Sequence, residues 1–224
     1  MDIPLFSEYG VNYLVRWGHL LFGIVWIGLL YYFNFVQTEY FKEADADHRS
    51  GAIQKLVPRA LWWFRWGAAF TFLTGLYLLY RLHGAMTYDI TVGATLGTLM
   101  AFNVWFIIWP NQKIVIASAT QVAGGGEALP EAATAAPKAG LASRTNTLFS
   151  IPMLFFMGSS AHLPSGMVTD EMAASTVSLV AVFAIILLLQ VNAIRGKQGP
   201  MTSVVGVIHC GLGLTAVLYG CMHL

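Results

Sequence analysis

The residue best placed to do chemistry is His19, in the run Arg16-Trp17-Gly18-His19-Leu20-Leu21-Phe22-Gly23-Ile24-Val25-Trp26-Ile27-Gly28. It is a histidine inside an apolar stretch long enough to cross a bilayer, where an ionisable group is costly and usually functional. His19, Gly23 and Trp26 fall at i, i+4 and i+7, on one stripe of a helix. A histidine followed one turn later by glycine leaves room for a flat ring against the backbone, as where an axial imidazole holds a porphyrin. Arg16, one turn nearer the membrane surface, is placed to reach a propionate. The plainer alternative is that His19 only hydrogen-bonds to a neighbouring helix.

The elements that carry these residues follow from composition. Hydrophobic residues make up 57 % of the 224 residues and charged residues 10 %, and the mean hydropathy is +0.64. A soluble domain carries about a quarter charged residues, so the chain reads as a membrane protein in contact with lipid. A formal net charge of +1 gives no nucleic-acid footprint. Six apolar runs, at 13–35, 62–82, 90–109, 148–163, 176–193 and 204–223, suit helices crossing about 30 Å of hydrocarbon. They lack period-two alternation, which excludes a barrel and leaves an all-α helical bundle of about six spans.

Ten of the twelve Lys and Arg residues fall in the 36–66, 110–147 and 194–203 regions, leaving Arg16 and Arg81 for the other side. The positive-inside rule then predicts both termini outside the cytoplasm, in a multi-pass protein. The chain reads as one membrane domain, 1–224. Residues 114–143 form an Ala/Gly-rich cytoplasmic loop expected to be a flexible linker, partly helical in its Ala-rich part. The cluster of Trp62, Trp63, Trp66, Trp105 and Trp109 reads as an aromatic belt, and Asn34, Asn103, Gln190 and Asn192 read as helix–helix hydrogen bonders. Neither an internal repeat nor a matched pair of broken helices argues for a secondary transporter.

In this topology His19, His83, His162 and His223 converge on the non-cytoplasmic half. A bis-histidine haem needs two imidazoles facing each other there. His209 lies on the stripe Gly206, His209, Gly213, Ala216, Gly220. That stripe suits close helix packing with His209 as an interhelical hydrogen bonder, or a second haem beside His223. His48 sits in a charged, solvated stretch. Cys210 and Cys221 are eleven residues apart, about 16 Å along a helix, too far to bridge. With no C-x-x-C-H, a haem bound here is b-type rather than covalent.

The segments RWGHLLFGIVWIGLLYYF (16–33), WWFRWGAAFTFLTG (62–75), NVWFIIWPNQK (103–113) and RTNTLFSIPMLFFMGSSAHLP (144–164) resemble, in the same order, the N-terminal membrane domain of bacterial membrane-bound urate hydroxylases. The likeness covers about residues 10–165. It implies a bundle in the bacterial cytoplasmic (inner) membrane and keeps His19 and His162, implied as the iron-ligating pair. The family's enzymes carry a C-terminal cytochrome c domain, and this sequence has none before its end at Leu224. Where the family pattern has histidine, glutamate and histidine, this chain has Trp62, Gly67 and Thr145.

Three readings result. One is a b-type haem electron-transfer subunit, exchanging electrons with a quinone or periplasmic cytochrome c. Its cofactor-binding residues would be His19, His162, Gly23, Trp26, Arg16, His209 and His223, with His19 and His162 on the metal. A second is a non-catalytic accessory subunit packed among other membrane subunits of an oxidoreductase complex. The third is a urate-oxidising enzyme whose cytochrome c is a separate chain.

Overall fold

The computed structural model describes residues 4–168 and 176–223. The elements are α1 (Glu8–Glu43), α2 (Ala46–Lys55), α3 (Val57–Arg81), α4 (Tyr88–Ala123), α5 (Ala132–His162), α6 (Thr176–Arg195) and α7 (Val204–Met222), with 3-10 turns at Pro4–Phe6 and Gly199–Thr202. Their starts are written in the sequence. Ser7, Thr87 and Ser203 cap α1, α4 and α7 by accepting from the N–H of Gly10, Ile90 and Gly206, which satisfies donors that a helix leaves open. Among the described residues extended pairing is limited to one antiparallel bridge, Thr87 with Met167.

The fold is all-helical, and α1, α4, α6 and α7 are long and apolar enough to cross a membrane. The other two apolar runs, at 62–82 and 148–163, also fall on long helices, α3 and α5. Their lower hydropathy has a cause. α3 carries Arg59 and Arg65 in its first turns, and α5 carries Thr145, Asn146, Thr147, Ser150 and Ser159 in buried positions. α5 packs against α4, α6, α7 and part of α1, and α3 runs along α1. The core lies around α5, where Phe149 and Phe156 meet Leu96, Met100, Val182, Ile186, Val207 and Leu218, all fully buried.

The 114–143 stretch expected as a flexible linker is mostly helical. α4 runs on to Ala123 and α5 begins at Ala132, with the connection held by Leu129 N–H donating to Ser118 Oγ at 3.0 Å. Alanine is the strongest helix former. Its small side chain lets Ala135, Ala139 and Ala142 pack fully buried, so a composition that reads as a tether builds a helix instead.

The polar side chains of α5 are largely buried among other helices, and buried polar groups need partners. Thr145, Thr147 and Ser150 donate to backbone carbonyls within the helix. Asn146 donates to the Met100 carbonyl at 3.0 Å and accepts from Asn103 at 2.8 Å. Asn103 and Gln190 exchange two hydrogen bonds, at 3.0 and 2.6 Å. Three helices are thereby pinned at one level. Asn103 opens a widened π turn, Asn103–Ile108, in α4. A matching turn, Tyr32–Gln37, interrupts α1. There Asn34 donates to Leu30 O and to Ser143 Oγ of α5. Asn34, Asn103 and Gln190 are thus the helix–helix bonders expected from sequence. Asn192 instead binds the backbone of Lys197, closing the end of α6.

At the other end of α5 the buried Asp89 carboxylate accepts from Ser159 Oγ at 2.7 Å and Ser165 N–H at 2.6 Å. It stands in the first turn of α4, where the helix dipole favours negative charge. Because Asn103 makes interhelical bonds, Asn103→Leu should lower the thermal midpoint in detergent by the equivalent of about 1–2 kcal/mol. Thr98→Val, which removes only a local bond to Ala94 O, should change it little.

Candidate functional site

The site is built where α1 and α3 run antiparallel in close contact. Three positions of α3, Gly67, Thr71 and Gly75, fall four residues apart and face α1. A Cβ on Gly67 would lie 3.1 Å from the Trp26 backbone nitrogen and 3.3 Å from Phe22 O. One on Gly23 would lie 4.0 Å from the Thr71 methyl, and one on Gly75 3.2 Å from Cε1 of His19. Small residues at this spacing let backbones approach without a hydrophobic drive. The face carrying His19, Gly23 and Trp26 is therefore turned to α3.

That approach fixes the histidine. His19 Nδ1 lies 3.0 Å from Thr74 Oγ1. The Thr74 hydroxyl has one proton and spends it on its own helix, 2.6 Å from Phe70 O. Nδ1 is then the donor, so the neutral imidazole keeps its lone pair on Nε2. A metal-ligating histidine is held in the same way, its other ring N–H given to a neighbouring acceptor. Trp26, seven residues on, is buried with its indole N–H lacking a partner. A buried donor left without a partner is costly.

The remaining expected residues lie as follows. His162 ends α5 and is exposed. Tyr31 Oη and Ser150 Oγ are 3.0 Å apart, and each lies twelve residues from His19 and His162 respectively. On antiparallel helices both histidines then lie toward the same end of the bundle, about 18 Å along their own helices from that contact. Arg16 is exposed on α1, near the end where Arg81 and Glu8 pair at 3.6 Å. His209 and His223 are exposed on α7, which packs on α5 and α6. Their Nδ1 atoms lie 2.8 Å from Val205 O and Tyr219 O, so both also donate from Nδ1. Among the described residues no three His, Cys, Asp or Glu side chains gather as for a bare metal ion.

Of the positions where the family pattern differs, Trp62 stands edge-on to Trp63, and Thr145 donates to Leu141 O. Gly67 is occupied by the approach of α1 itself. Sequence reading missed Thr74 and Gly75. Their signal was present as the Gly67, Thr71, Gly75 spacing, which reads as a packing stripe and places the threonine beside the histidine.

Gly67 tests this contact. Gly67→Val drives side-chain atoms into α1 and should cost about 1–3 kcal/mol in thermal unfolding. Gly28→Val, on the same helix pair but with nothing within 4 Å of its Cβ position, should be tolerated.

The urate oxidase N-terminal family model matches residues 82–218. The match covers more than half of the chain and extends past the quoted resemblance into α7. The two quoted segments at 16–33 and 62–75 lie before it. No curated protein and no solved structure matches the chain. With its helices arranged as above and α4 through most of α7 within the matched region, the chain belongs to the urate oxidase N-terminal family.

Proposed function

We propose that this chain is a membrane electron-transfer subunit of the urate-hydroxylase membrane-domain type, holding a b-type haem through His19. The observation that carries this reading is the 3.0 Å contact of His19 Nδ1 with Thr74 Oγ1, whose own proton goes to Phe70 O; this assigns the ring proton to Nδ1 and a lone pair to Nε2. A haem held there supplies a one-electron relay between a donor and an acceptor. His162, toward the same end of the bundle on α5, is the proposed second ligand, and Arg16 the partner of a propionate. Gly75 keeps the α3 backbone low beside the ring, and the buried Trp26 indole offers a hydrogen-bond donor on the same face.

In this reading the six long helices all cross the bacterial inner membrane. Both termini and the His19 end face the periplasm, in keeping with the ten-to-two division of basic residues. The electron partners are then a membrane quinone or a periplasmic cytochrome c. A second reading, an accessory role inside a larger membrane complex, is favoured by α7. His209 is exposed there beside Leu212, and Gly213 and Gly220 have open space at their Cβ positions, a polar and small-residue face suited to another subunit.

Haem content of the detergent-purified protein separates the readings. The wild type should show a reduced-minus-oxidised haem spectrum, lost or strongly altered in His19→Ala and His162→Ala and unchanged in His48→Ala. A colourless wild type that co-purifies with larger membrane partners would favour the accessory reading. A normal spectrum in both ligand variants would remove His19 and His162 as the pair.

A further inference from the structure

Toward the start of α3, away from Gly75, two cations share one ring. Arg65 of α3 lies over the Trp109 ring of α4, its Cζ 3.8 Å from the centroid. Lys113, one turn further along α4, brings Nζ to 5.6 Å from the same centroid. The face of an indole attracts a cation, but two cations beside one ring also repel each other. Among the described residues neither makes an ion pair with a carboxylate; such pairs are made by Lys42, His48, Arg81 and Arg144 instead. Arg65 is half-buried and Lys113 exposed, so the two are open to an anion from outside the bundle.

The wall beside them is apolar. Trp66 stands edge-on to Trp105 across the helix pair at 5.6 Å and stacks on Phe70 at 5.8 Å. Trp62, Trp66 and Phe70 are exposed. α3 and α4 run antiparallel here, since Arg65 meets Trp109 and Trp66 meets Trp105. The order along the groove is therefore Lys113, then Arg65 with Trp109, then Trp66 with Trp105, then Phe70. In the proposed reading this order runs from the cytoplasmic surface toward the membrane centre. An aromatic belt accounts for the rings, but not for two cations without carboxylates gathered on one of them.

We infer that the α3–α4 groove holds an anionic phospholipid of the cytoplasmic leaflet, its phosphate on Arg65 and Lys113 and its acyl chains along Trp66, Trp105 and Phe70. Arginine on phosphate is a strong, charge-assisted contact, and basic sites between helices on the cytoplasmic side bind anionic headgroups. A free phosphate would use the cations and leave the aromatic wall uncovered. A zwitterionic lipid would cover the wall and leave the excess charge unmatched. The inference rests on α3 and α4 crossing the membrane as in the proposed reading, and it uses none of the haem residues.

Tryptophan fluorescence of the full chain in phosphatidylcholine nanodiscs tests this. A minor fraction of the lipid is replaced by phosphatidylglycerol or phosphatidylcholine brominated on its acyl chains, which quenches rings that touch those chains. Brominated phosphatidylglycerol should quench at least about twofold more strongly than brominated phosphatidylcholine at the same fraction. Arg65→Gln combined with Lys113→Gln should remove the excess. Arg195→Gln combined with Lys197→Gln, the same charge change at exposed positions around the end of α6, should keep it. If the first pair does not fold, Lys113→Gln alone, at an exposed position, decides by lowering the excess. Equal quenching by the two lipids, or an excess that survives loss of these cations, would overturn the site while leaving the crossing of the helices intact. No quenching by brominated phosphatidylcholine at any fraction would overturn the crossing itself, and the inference with it.

Discussion

A Cβ on Gly75 would lie 3.2 Å from the His19 ring, and one on Gly67 3.1 Å from the α1 backbone. The two helices meet this closely because every fourth residue of α3 on that face is small. Small residues at such a contact let the backbones approach, so contact area and polar pairing decide how the two helices meet. The consequence is chemical as well as structural. Thr74 reaches Nδ1 only because Gly75 lets the ring lie against the α3 backbone. The state of the one deeply placed histidine on α1 is therefore set by glycines on α3.

The same constraint shapes the other half of the bundle. α5 carries Arg144, Thr145, Asn146, Thr147, Ser150 and Ser159 in buried positions, which would be prohibitive on a lipid-facing helix. The helix bears them because it is enclosed by α4, α6 and α7 and because most bond back to its own carbonyls. The asparagines at the two widened turns reach across to it. Those turns offset the helical register, and π turns of this kind are frequent at functional sites. Here the α1 turn, Tyr32–Gln37, forms one wall of a cavity beside the buried Arg144.

Hydropathy and helix periodicity in the sequence were enough to locate the helices. The interhelical roles of Asn34, Asn103 and Gln190 were also legible, since amides inside apolar runs have few other options. The 114–143 segment was not, because alanine and glycine content reads as flexibility until the partner helices that bury those alanines are known. His19 stood out from the first, yet its partner on α3 did not, because a threonine is common and only the fold brings residue 74 to residue 19. The cavity was least visible. Arg144 entered the sequence reading as one more cytoplasmic positive charge, and Gln37 entered not at all. The lining of the cavity beside Arg144 comes from five stretches between residues 33 and 202, joined only by the bundle.

The functional account rests on which nitrogen of His19 carries the proton. Nitrogen-15 NMR of the histidine-labelled, haem-stripped full chain reads this directly, with His19→Gln assigning the resonance. The structure predicts a protonated Nδ1 bonded to oxygen and a bare, pyridine-type Nε2 able to ligate iron. A protonated Nε2 with a bare Nδ1 would contradict it, since that imidazole would accept from Thr74 and have no lone pair to offer a haem.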